Sequence, residues 1–121
     1  MQHEKINYLE YPARDLAATK QFFMSVFGWT FTDYGEAYTA FDNQGLEGGF
    51  YQAEMISDSD KGAALTVFFS DDLELTKEKI SMNGGVIVKP IFSFPGGHRF
   101  HFKEPSGNEF AVWGEVSEKT V

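Results

Sequence analysis

Two stretches of the chain place their apolar residues at helical spacing. Leu16, Thr19, Phe22, Phe23, Val26 and Phe27 make one stripe, and Leu73, Leu75, Ile80 and Met82 make another. Each stripe opens on an acidic residue able to cap a helix, Asp15 in the first case and Asp71 or Asp72 in the second. Each closes on glycine, at Gly28 and at Asn83-Gly84-Gly85. The remaining segments alternate with a period of two. From Ile6 to Pro12, Tyr8, Glu10 and Pro12 share one face of a strand and Asn7, Leu9 and Tyr11 the other. Both faces carry apolar surface, so alternation alone leaves open which is inside. Trp29-Thr30-Phe31-Thr32 and Val86 to Val88 read as further strands. Leu65 to Phe69 is almost wholly apolar, the pattern of a strand buried on both faces.

The last third of the chain supplies the clearest signal. Phe100-His101-Phe102-Lys103 and Glu109-Phe110-Ala111-Val112-Trp113 alternate on either side of Glu104-Pro105-Ser106-Gly107-Asn108, which predicts a hairpin. Tyr38-Thr39-Ala40-Phe41-Asp42 and Glu47-Gly48-Gly49-Phe50-Tyr51 echo it around Gly45. The echo extends upstream: Asp15 and Asp72 are 57 positions apart (72 − 15), as are Gly28 and Gly85 (85 − 28). Between Gly45 and Gly107 the offset becomes 62 (107 − 45), so the second copy holds five extra residues (62 − 57), which fit in Ser93-Phe94-Pro95-Gly96-Gly97. The chain is thus expected to be strand, helix and three strands, given twice. Module one runs over about 5–54, a polar linker over about 55–62 and module two over about 63–116, with a loose tail at Ser117 to Val121.

A chain of 121 residues makes one domain, residues 1–121, whose halves are expected to share a core and not to fold apart. Thirteen Phe and a 42% apolar composition supply that core. The absence of cysteine removes disulfides and thiol nucleophiles. A formal charge of −8 with no cluster of Lys and Arg argues against nucleic acid or an anionic membrane as partner. No apolar run reaches the roughly 18 residues of a membrane span, so the expected location is the cytoplasm.

The wording Ile-Asn-Tyr-Leu-Glu-Tyr-Pro-Ala-Arg-Asp-Leu with Val-Phe-Gly-Trp, and Glu-Pro-Ser-Gly-Asn-Glu-Phe-Ala-Val-Trp, resembles the vicinal oxygen chelate superfamily over residues 5–115. This group holds glyoxalases, bleomycin-resistance proteins and extradiol dioxygenases, and the similarity is to its small lactoylglutathione-lyase-related members. The resemblance implies an α+β fold of two βαβββ modules curled into a half-open barrel around a cavity, and a homodimer. It also implies that metal-using members take one ligand from the first strand and one from the last strand of each module. Those positions fall here on Tyr8, Gly49, Leu65 and Ala111, which offer no His or Glu. The resemblance therefore points to a protein without the family's metal ion or another cofactor, binding a small organic molecule in its cavity.

With that placement, Tyr8, Gly49, Leu65, Ala111 and Trp113 are the candidate ligand-lining residues, and Glu10 with His101 the candidate proton-handling pair. Strand residues also pair for stability alone, and Glu10 could instead meet Arg99 or Lys103 across strands. A non-standard metal site drawing on His3, Glu10, His98 and His101 is a further alternative, although no two histidines stand at ligand spacing. Phe22, Phe23, Phe27, Phe68, Phe69 and Phe110 read as core. Tyr8, Phe50, Tyr51, Phe92 and Trp113 read as the rim of the cavity or of a dimer interface. Ser93 to Gly97 reads as a rim loop or as a longer hairpin turn. Three functions stay open at this point: a metal-free binding protein, a glyoxalase-like lyase, isomerase or dioxygenase with a non-standard metal site, and a structural or regulatory dimer with a vestigial cavity.

Overall fold

The computed structural model describes residues 1–42 and 45–115; the tail expected at Ser117 to Val121 lies outside the described residues. The first module is β1 (Tyr8–Ala13), α1 (Leu16–Phe27), β2 (Thr30–Asp33), β3 (Tyr38–Asp42) and β4 (Glu47–Gln52). A single 3-10 turn (Ser59–Lys61) leads to the second: β5 (Thr66–Phe69), α2 (Leu73–Met82), β6 (Val86–Phe94), β7 (Gly97–Lys103) and β8 (Glu109–Gly114). Both helices begin where an aspartate can satisfy a free N–H: Asp15 accepts from Ala18 and Asp72 from Leu75. The first helix ends at Gly28 in the left-handed conformation, φ 70°, whose N–H returns to the Met24 carbonyl.

Each module builds one four-stranded sheet, and the two have the same order, β1-β4-β3-β2 and β5-β8-β7-β6. In each, the first strand runs parallel to the last and the other neighbours are antiparallel. Two βαβββ modules are therefore present. Their five-residue difference appears as length: β6 and β7 form a longer hairpin than β2 and β3, with Ser93 and Phe94 still in β6 and only Pro95 and Gly96 turning.

The modules share one core. Phe22, Phe23 and Val26 of α1 are buried, and Phe23 lies 5.6 Å from Phe50 of its own sheet and 5.4 Å from Phe110 of the other. Phe22 likewise reaches Phe102 at 5.8 Å. Four expectations about burial fail here. Phe50 is fully buried in the core and not at a rim. The strand β5 lies at a sheet edge, so Val67 and Phe69 are 42% and 52% exposed, and Phe69 is not core. On α2 the buried face is Leu73, Thr76 and Ile80, spaced by three and four; Leu75 and Met82 fall off that face and are exposed.

A polar clamp completes the junction between modules. The β7–β8 turn carries Glu104, Ser106 and Asn108, all buried. The Asn108 amide donates to the Pro12 carbonyl at 2.6 Å and to Glu104 at 2.8 Å, and its oxygen accepts from Ser57 N–H at 2.7 Å. Thr19 of α1 donates to Glu104 at 2.9 Å, Asp15 N–H to the Ser106 hydroxyl at 3.1 Å and the Arg14 guanidinium to the Ser106 carbonyl at 3.3 Å. Gly107 turns the chain at φ 96°. Burial pushes the Glu104 carboxyl above its ordinary pKa despite hydrogen bonds from Ser106, Thr19 and Asn108.

Candidate functional site

The helices cover one face of each sheet, and the candidate side chains stand on the other. In the first sheet Glu10 is in register with Gly49, with Tyr8 two residues back along β1. Tyr38 of β3 joins them: its hydroxyl donates to Glu10 at 2.8 Å, so the Tyr8 hydroxyl, 2.6 Å away, is left to donate to Tyr38. The three groups form a relay from phenol to phenol to carboxylate. Burial, and then the bonds to Tyr8 and Glu10, push the Tyr38 phenol above its ordinary pKa. Gly49 makes this arrangement fit, because a Cβ there would collide with the Tyr38 hydroxyl. Its neighbour Gly48 is covered in the same way by the Phe41 ring from the opposite face. Tyr38 escaped the sequence reading. The signal for it was the Gly48-Gly49 doublet, since glycines inside a strand mark close approach by another group.

In the second sheet His101 is in register with Ala111, Arg99 with Trp113 and Lys103 with Glu109. His101 and Glu109 are both buried, and Nδ1 lies 2.8 Å from the Glu109 carboxylate. The other Glu109 oxygen accepts from the Ser59 hydroxyl at 2.6 Å and the Ser59 N–H at 2.9 Å. Burial alone would raise the Glu109 pKa, but the bonds from Ser59 and His101 outweigh it and hold the carboxyl below its ordinary value. An ionised Glu109 accepts the Nδ1 proton, which leaves His101 Nε2 buried and, among the described residues, without a hydrogen-bond partner. The Arg99 guanidinium stacks over Phe92 at 5.4 Å and Phe94 at 5.8 Å.

The structure thus sorts the candidate residues into two groups. Tyr8, Glu10 and Gly49 belong to the first sheet's open face, and His101, Ala111 and Trp113 to the second's; Leu65 lies half-buried just before β5. Among the described residues no hydrogen bond joins Glu10 to His101. Glu10 pairs with Tyr38, and His101 with Glu109. Lys103 meets Asp58 at 3.1 Å, and His3 meets Glu4 at the surface. Among the described residues no three His, Asp or Glu side chains gather as a metal ion requires.

The four positions that the resemblance assigns to metal ligands do not suit a divalent ion. Leu65, Gly49 and Ala111 have no donor atom, and Tyr8 is engaged with Tyr38, whose ring fills the space into which a side chain at 49 would project. The clearest concavity lies elsewhere. A cleft of about 380 Å³ opens between the modules, lined by Leu9 and Tyr11 of β1, by Phe27, Trp29, Phe41, Gly45 and Leu46 of module one, and by Thr66 to Phe69 of β5. None of the residues singled out as ligand-lining in the sequence takes part, although Leu9 and Thr66 are direct chain neighbours of Tyr8 and Leu65.

Two successive βαβββ modules with matching sheets are the frame of one protein class. The chain belongs to the Glyoxalase/Bleomycin resistance protein/Dioxygenase superfamily, whose family model matches residues 5–112. Among particular relatives, it is 30% identical over 117 residues to the anthracycline biosynthesis protein DauV of Streptomyces sp. strain C5. That match covers 82% of this chain and 42% of DauV, so the chain spans less than half the length of this relative. The fold is similar to that of FosX, the fosfomycin resistance protein of Listeria monocytogenes, at a TM-score of 0.77 and 15% identity, over 99% of this chain and 100% of FosX. It is also similar to lactoylglutathione lyase from Agrobacterium tumefaciens, at a TM-score of 0.69 and 18% identity, over 92% of this chain and 93% of that one. At such identities the likeness is one of fold.

Proposed function

We propose that this chain binds a small organic molecule and does so without the divalent ion of metal-using superfamily members. The observation that carries this reading is Tyr38 lying against Gly49. A glycine in that position cannot ligate, and the neighbouring phenol takes up the room that a ligating side chain would need. Reversion to metal binding would require Gly49 and Tyr38 to change together. A second observation favours chemistry of another kind. His101, oriented by Glu109, has a buried Nε2 with no hydrogen-bond partner among the described residues, and a ligand hydroxyl that reached it would meet a proton acceptor. Glu109 replaces Glu10 as the partner of His101 in this reading, and Glu10 serves Tyr38.

The test is a melt of the untagged protein with excess nickel, zinc, manganese or iron(II), beside elemental analysis of the protein as purified. No bound metal and no shift are expected, with no lactoylglutathione formed from the methylglyoxal–glutathione adduct when nickel or zinc is added. A ligand at a thousand times its Kd would add about 4 kcal/mol of stability, so a bound ion would show as a large rise in Tm. Such a rise with stoichiometric metal overturns the proposal.

A further inference from the structure

We propose that the cleft between the two modules binds a planar, uncharged molecule of two or three fused rings with one hydroxyl or carbonyl on its edge. The inference rests on the preceding reading and names its ligand class, at a site apart from the open sheet faces.

Three features of the cleft specify this occupant. The first is its walls. Trp29 stacks on Phe41 at 4.3 Å between ring centres, and Phe27 stacks on Phe68 at 4.4 Å and 2° between planes. Trp29 and Phe68, from different modules, meet at the cleft with ring centres 6.0 Å apart and planes tilted by 38°. Flat apolar walls of this kind favour flat apolar ligands, through area burial and ring-to-ring contact. The second is the charge of the lining: no Asp, Glu, Lys, Arg or His is among its described residues. An ionised ligand would lose its hydration there with nothing to replace it. The third is a polar pair. Tyr11 and Thr66 both line the cleft, and their hydroxyls meet across the module boundary at 2.6 Å. One hydrogen bond uses one of their two protons and leaves the pair one donor and free lone pairs, enough for one edge group of a ligand. Burial raises the Tyr11 pKa and keeps its phenol protonated. A volume of about 380 Å³ lies at the small end of ligand sites and matches a bicyclic or tricyclic molecule. A second protein chain, by contrast, needs a surface of roughly 800 Å² on each side, not a cleft of this size.

The probes are 2-naphthol and naphthalene, measured by equilibrium dialysis against the full-length protein. Both should bind at one site. Tyr11→Phe should weaken 2-naphthol about 5- to 10-fold and leave naphthalene unchanged. Leu46→Asp, which sets a charge on the cleft wall at an exposed position, should abolish binding of both while the melt stays cooperative. Four results overturn the proposal: no binding of either probe, Tyr11→Phe weakening both alike or neither, binding that survives Leu46→Asp, or a dimer in light scattering that Leu46→Asp dissociates without any probe having bound. Probe binding lost in His101→Ala and kept in Leu46→Asp would place the ligand on the sheet face that carries His101; the metal-free reading would then stand and this one fall. Stoichiometric metal with cleft binding intact would do the reverse.

Discussion

Gly49 and Tyr38 are two halves of one decision, for a phenol can lie over a strand only where the strand has no side chain beneath it. Gly49→Ala forces the Tyr38 hydroxyl and ring edge away, breaking the bonds to Tyr8 and Glu10. The expected cost is about 1–3 kcal/mol, as for other overpacked sites, read from urea denaturation. Tyr38→Ala in the same chain removes the collision, so the double variant should be more stable than the sum of the single losses predicts. Additive losses would show that the two positions do not meet. Glu109 makes a second residue-scale prediction, with a definite sign. Its folded pKa is depressed, so its stabilising contribution is complete above the unfolded value and is lost as pH falls through the folded one. The stability gap between the native protein and Glu109→Gln should therefore be widest above the ordinary carboxylate range and close as pH falls below it. Glu104, whose folded pKa is raised, acts in the opposite sense: the native state gains relative stability on acidification through that pKa.

Among the elements, much was legible in the sequence because caps and stripes are local. Asp15, Asp72 and Gly28 stand where the helix ends form, and the constant spacing between copies follows a real duplication of strand, helix and three strands. What escaped was set by neighbours far along the chain. An apolar run such as Leu65 to Phe69 looks the same at the edge of a sheet as in its middle, and only the strand order makes it an edge. His101 and Glu109 lie eight residues apart and paired across a hairpin that the sequence did predict; reading the register from the turn would have found them. Tyr38 and Glu10, 28 residues apart, required the sheet order as well. The β7–β8 turn was recognised as a turn, yet its part in joining the modules was not, because its partners Pro12, Asp15 and Thr19 lie about ninety residues away. Asn108→Ala tests that part. It leaves the Pro12 carbonyl and the Ser57 N–H without a buried partner and should cost about 2–4 kcal/mol in urea melts, well beyond a surface substitution. A loss below about 0.5 kcal/mol would mean that the turn is only a turn.

At the scale of the whole molecule, duplication has produced one body. The aromatic core runs from α1 through both sheets, and the linker is bound to the second module at Ser57, by Asn108, and at Ser59, by Glu109, so it acts as part of that module. The two copies have also diverged in use. The first sheet's open face holds phenols and a carboxylate, the second's an imidazole, a carboxylate and a stacked guanidinium. The clamp stands at the N-terminal end of α1, and the aromatic cleft at its C-terminal end, beside Phe27 and Trp29. A 12-residue helix is about 18 Å long, which turns this layout into a lever with its pivot at the buried polar network. Turning one module by about 5° around that pivot would widen the far end by about 1.6 Å, half the thickness of an aromatic ring.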